Sequence, residues 1–147
     1  MEKSEERSLA AKLYNECWEI LESLDATSDQ VAALLTNAFT SRYHWLPIGE
    51  AQQHICADWM VSRAACAADF GDLAVFFALR AYEGAKNAVV DDWLTASVAE
   101  GLARAYATSG DEVLREQWRA TAQTLVDAIS DEEDRVIIAD QLATVPR

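Results

Sequence analysis

Prolines and glycines are scarce, two and five in 147 residues, and most stand where breaks between segments are expected. Alternation of apolar and polar residues with period two is nearly absent, which removes the usual signal of half-buried strands. No stretch of about eighteen uninterrupted apolar residues occurs, so no segment is expected to span a membrane. The first residues, MEKSEERSLAAK, lack the apolar core of a secretory signal, and a cytoplasmic location is the expectation. Three cysteines, Cys17, Cys56 and Cys66, form an odd set without paired spacing, which argues against a disulfide framework. Each falls among apolar neighbours and is expected to be a buried thiol. Positive charge is also scarce. Twelve Lys and Arg face 25 Asp and Glu, a formal net charge of −13, and the basic residues are scattered. Phosphate backbones and anionic headgroups repel such a chain, so nucleic acid and membrane are not expected as partners. A basic peptide or protein partner suits this charge, as does simple solubility.

What the chain does contain is helix. Hydrophobic residues make up 51% of it, enough for a core, and Ala, Leu, Glu and Arg dominate the stretches between breaks. Apolar residues recur at steps of three and four. Leu9, Leu13, Cys17, Ile20 and Leu24 form a first stripe. A second helix begins at Thr27, with Gln30 completing a capping box, and closes at Pro47 and Gly49. A third covers roughly residues 50–70, with Ile55, Trp59, Ser62, Cys66 and Phe70 on one side. Gly71-Asp72 opens a fourth, Asp91 or Asp92 caps a fifth, and Gly110-Asp111 opens a sixth. Ser130 and Glu133 propose another capping box before a seventh. Such short connections force neighbouring helices to pack antiparallel. The expectation is one all-α domain over residues 1–147, a stack of about seven helices.

Asp58-Trp59-Met60 and Asp92-Trp93-Leu94 lie 34 residues apart, each followed by a Gly-Asp break and a partner helix. A 34-residue helix–turn–helix period is that of tetratricopeptide repeats. Gly101-Leu102-Ala103, Tyr106, Gly110-Asp111 and Ala122 resemble that repeat's small and aromatic packing positions. The proline that usually closes the repeat is absent, and Arg115 stands where a small residue is usual. Ser41-Arg42-Tyr43-His44-Trp45, Trp59-x-x-Ser62-Arg63 and Glu100-x-Leu102-Ala103-Arg104-Ala105-Tyr106 are similar to segments of a small family of bacterial helical-repeat proteins without an assigned function. The similarity covers roughly residues 30 to 142, with Asp58-Trp59 where that family often has Glu-Trp. It implies a tetratricopeptide-like right-handed superhelix and carries no activity with it.

Charges embedded in apolar stripes single out the candidate site. Arg42 lies between Phe39 and Trp45, Arg63 four residues after Trp59, and Glu100 seven after Trp93. Unpaired buried charge is costly, so Glu100 is expected to pair with Arg63, and Asp58 or Glu50 with Arg42. One reading is a structural ion-pair network. The other is a polar groove in which Arg42 and Arg63 bind a carboxylate or phosphate between walls of Tyr43, Trp45 and Trp59. His44 and His54 are the only histidines, and their spacing fits no metal site. His44 is expected near a helix end, where its charge suits the dipole. No nucleophile motif or phosphate-cradling glycine loop occurs, so no catalytic residue and no cofactor is expected.

Stacked hairpins leave a surface for extended partners, so a protein- or peptide-binding scaffold is the leading expectation. The alternative is a small-molecule-binding regulatory domain, or an enzyme, using the groove around Arg42, Arg63 and Glu100. Self-association into a homo-oligomer is a further expectation to test. The candidate contact residues are therefore Arg42, Tyr43, His44, Trp45, Asp58, Trp59, Arg63 and Glu100.

Overall fold

A computed structural model describes residues 1–147. It contains α1 (Lys3–Glu22), α2 (Ser28–Ile48), α3 (Ala51–Ala67), α4 (Gly71–Lys86), α5 (Asp92–Ser109), α6 (Glu112–Asp127) and α7 (Glu132–Ala143), and no strand. The expected all-α architecture of seven helices in stacked hairpins is the one that forms. No helix is long and apolar enough to cross a membrane.

Cap chemistry sets most helix boundaries. The Thr27 hydroxyl accepts the Gln30 N–H at 3.2 Å, and the Gln30 side chain accepts the Thr27 N–H at 3.5 Å. This is the capping box read from the sequence. Gly110 reverses the chain at φ 83°, and Asp111 then accepts the Leu114 N–H at 3.0 Å to start α6. The last helix departs from expectation. Asp131, not Ser130, is its cap, accepting the Asp134 N–H at 2.9 Å. Ser130 instead donates its N–H and hydroxyl to Asp92, at 2.9 and 3.0 Å. Asp92 thus ties the start of α5 to the turn before α7.

The third helix also ends earlier than its stripe suggests. Asp69 adopts φ 61°, and the Phe70 N–H bonds back to the Ala65 carbonyl at 2.9 Å, closing a Schellman-type turn. That turn swings Phe70 out of the stripe, leaving it 54% exposed. The spatial repeat differs from the Asp-Trp recurrence as well. α3 begins at Ala51 and α5 at Asp92, α4 at Gly71 and α6 at Glu112, so the units repeat after 41 residues. Asp58 lies in the middle of α3, whereas Asp92 opens α5. At the 41-residue spacing, Phe77 matches Trp118 and Ala81 matches Ala122, and the two alanines are fully buried.

Every helix packs on the next in sequence, and α1, α3, α5 and α7 also touch one another in order. No two even-numbered helices touch. The molecule is therefore two layers, an odd one of four helices and an even one of three. α5 sits deepest, with residues 96–105 buried without interruption. Its run of Ala, Gly and Ser lets neighbours approach from several sides, as a helix apolar all round requires. The main core gathers Leu34, Met60, Phe77, Leu94 and Val98, and a second joins α5 to Val126, Ile129, Ile138 and Leu142.

Gly71 marks the tightest crossing. A Cβ there would lie 2.6 Å from the Cα of Ser109, backbone against backbone. Gly71→Ala adds helix propensity but forces α4 away from the end of α5. We expect it to lose about 1–3 kcal/mol in chemical denaturation. A gain in stability would mean that the two backbones do not meet.

Candidate functional site

The embedded charges resolve into two separate ion-pair clusters. In the first, Glu100 of α5 is fully buried, and its Oε1 collects three donors. Arg104, one turn on, donates from Nε at 3.0 Å and Nη2 at 2.7 Å, and Arg63 of α3 donates from Nη1 at 3.4 Å. Arg104 Nη2 also reaches α7 and the residue after it, at the Gln141 carbonyl (2.9 Å) and the Thr144 hydroxyl (2.7 Å). Glu100 Oε2 is buried without a protein partner. Burial, and then the nearby positive charge of Arg104, lower the pKa of Arg63. The cleft between Trp59, Arg63, Glu100 and Arg104 is closed, with no solvent-sized free volume. The expected Arg63–Glu100 pair forms, but Arg104 makes the closer contacts. Arg104 is absent from the candidate contact residues, although Glu100 and Arg104 have the i,i+4 spacing at which such pairs meet.

The second cluster lies between α2, α3 and α4. Arg42 Nε donates to Asp58 Oδ1 at 2.7 Å, Arg80 Nε stands 3.6 Å from Oδ2, and the Arg42 guanidinium sits 5.2 Å over the Phe77 ring. Glu50, the other carboxylate considered for Arg42, is instead the N-cap residue of α3, with its N–H on Gln53. His44 Nδ1 pairs with Glu6 Oε2 of α1 at 3.0 Å rather than serving the end of its own helix. Tyr43 is exposed, and Trp45 is buried beneath the Arg7 guanidinium at 5.3 Å. The eight candidate residues therefore do not line one groove. Arg42 and Asp58 form one pair, Arg63 and Glu100 another, and His44 a third contact. No group of three or more His, Cys, Asp and Glu side chains is placed to hold a metal ion.

A different feature occupies the odd layer. All four of its helices open onto a hollow of about 280 Å³. α1 supplies Tyr14 and Trp18, α3 supplies Cys56 and Trp59, α5 supplies Trp93 and Ser97, and α7 supplies Asp134, Ile137 and Gln141. Trp18 and Trp59 stack at 5.4 Å, and Trp59 Nε1 donates to the Ser97 carbonyl at 3.0 Å. Gly101 makes that placement possible, because a Cβ there would stand 3.0 Å from the Trp59 indole. A second hollow of about 260 Å³ shares Tyr14, Cys56 and Trp93 and continues toward Trp45 and Gln52. Together they form an elongated, open groove.

Its walls are mostly neutral. Burial raises the pKa of Tyr14 and pushes the Cys56 thiol up to about 11, so both stay protonated at neutral pH. Cys17, buried behind the groove, is likewise pushed up to about 12. Asp134 is the one charged residue of the larger hollow. Of this lining, the candidate contact residues include Trp59 alone. The five tryptophans, many for this length, are the mark of an interface that the sequence does carry, and three of them meet here.

The two arginines around Glu100 differ in consequence. Arg104→Ala leaves the carboxylate with only the 3.4 Å contact and should destabilise by about 3–5 kcal/mol in urea. Arg63→Ala removes one long hydrogen bond to a charged group, and about 1.5–3 kcal/mol is expected. Equal losses, or a larger one at Arg63, would contradict this ordering. Comparisons with protein-family models, with curated proteins and with solved structures return no match for this chain.

Proposed function

We propose that the chain is a binding module that takes a segment of a peptide or protein in the groove of its odd-helix layer. One observation carries the reading: four helices converge on an open aromatic hollow, and a second hollow prolongs it. Concave, mostly apolar surfaces with a few polar groups are where ligands bind. Tryptophan and tyrosine are also the side chains most enriched where binding energy concentrates. An elongated, open shape suits an extended chain better than an enclosed small molecule. The protonated Tyr14 and Cys56 offer no ionised nucleophile there, which favours binding over chemistry. The closed cleft beside Arg63 and Glu100 lends no support to a ligand in that place.

Selection of random displayed peptides on the whole protein tests the proposal, with binding read from tryptophan fluorescence. Ile137 stands at the mouth of the groove, 54% exposed, so Ile137→Gln leaves the core intact. Selected peptides are expected to bind this variant about 10-fold more weakly. Peptides that bind both proteins equally, or a selection that enriches nothing, would overturn the reading.

A further inference from the structure

We infer that the residue anchoring a partner in this groove is an arginine, whose guanidinium lies against Trp93 and pairs with the Asp134 carboxylate of α7. The inference rests on the peptide-binding reading and adds the chemistry of the occupant. Three observations lead to it. First, the larger hollow contains no Lys, Arg or His, and its single charge is the Asp134 carboxylate. That carboxylate takes part in none of the ion pairs of the structure, because Asp134 meets the Asp131 cap through its backbone N–H alone. Second, Trp93 and Ile137 line the same hollow as that carboxylate, an aromatic face and an apolar wall beside the one charge. Third, the molecule elsewhere covers its own tryptophans with arginine: Arg7 lies over Trp45 and Arg63 over Trp59. Trp18 is stacked on Trp59, whereas Trp93 has neither a cation nor a second ring against it.

The pattern selects among side chains. An acidic residue would meet Asp134 and a net charge of −13. A leucine or phenylalanine would fill the space but would leave the Asp134 carboxylate desolvated without a donor. A cation with N–H groups supplies one, and tryptophan is the best ring for a cation to face. Guanidinium is preferred over ammonium because it is planar, weakly hydrated and carries five donors. Its three-carbon stem can lie along Ile137 and Trp93, as arginine stems do on apolar surfaces.

The test uses the full chain and five acetylated, amidated pentapeptides, Ala-Ala-X-Ala-Ala, in which X is arginine, citrulline, lysine, leucine or glutamate. Binding is read from the indole N–H resonance of Trp93, identified with Trp93→Phe. Arginine should shift it to saturation, while citrulline, the neutral isostere, should bind about 10-fold more weakly, and glutamate not at all. Asp134→Asn should weaken the arginine peptide about 5-fold and leave the leucine peptide unchanged. A citrulline or leucine peptide binding within about twofold of arginine would overturn the arginine anchor while peptide binding stood. Silence at Trp93 from all five peptides would overturn the inference together with the reading beneath it.

Discussion

Glu100 enters the deepest helix of the stack with no exposed surface, and a buried carboxylate must be neutralised where it sits. Three donors converge on its Oε1, and the closest belongs to Arg104. Arg104 Nη2 reaches on to the Gln141 carbonyl of α7 and to the Thr144 hydroxyl just after that helix. Arg63 arrives from α3. One carboxylate thereby links α3, α5 and α7, the consecutive members of the odd layer. Desolvation offsets much of the Coulombic attraction in such a cluster, and Glu100 Oε2 stays unpaired, so the net stabilisation is modest. What the cluster fixes is position, because each of its members has only one place to go.

The groove depends on that placement. α7 is the short last helix, and its apolar anchors are few: Ile138 and Leu142, with Ile129 before it and Val145 after it. Its other face turns Asp134, Ile137 and Gln141 toward the tryptophans of α3 and α5. Gln141 serves both functions, accepting Arg104 through its backbone and lining the hollow through its side chain. Charge and aromatic surface are thus sorted within the odd layer. Arg63 and Arg104 are consumed around Glu100, and the larger hollow is left with aromatic and apolar walls and a single charge, Asp134.

The helices were legible in the sequence because three- and four-residue apolar spacing and cap pairs such as Thr27-Gln30 and Gly110-Asp111 act locally. The Arg63–Glu100 and Arg42–Asp58 pairs were legible too, since buried charge demands a partner and few were in reach. What escaped was set by geometry between distant segments. Phe70 fits the stripe of α3 by spacing, but the left-handed turn at Asp69 removes it. The 34-residue Asp-Trp recurrence lies in sequence only, whereas the structure repeats after 41 residues. The groove was legible only as an excess of tryptophan, with no place assigned to it, because its lining comes from four helices spread over residues 14 to 141. No short motif encodes that convergence.

Native-state hydrogen exchange on Arg104→Met tests most directly whether the Glu100 cluster positions α7. If it does, the amides of α7 lose protection well beyond the drop that lower global stability imposes on every helix and exchange by local opening, while those of α1 to α3 lose no more than that drop. Wild-type protection across Glu132–Ala143, or an equal loss in every helix, would contradict it. The cluster would then add only to global stability, and the groove would owe its shape to apolar packing alone.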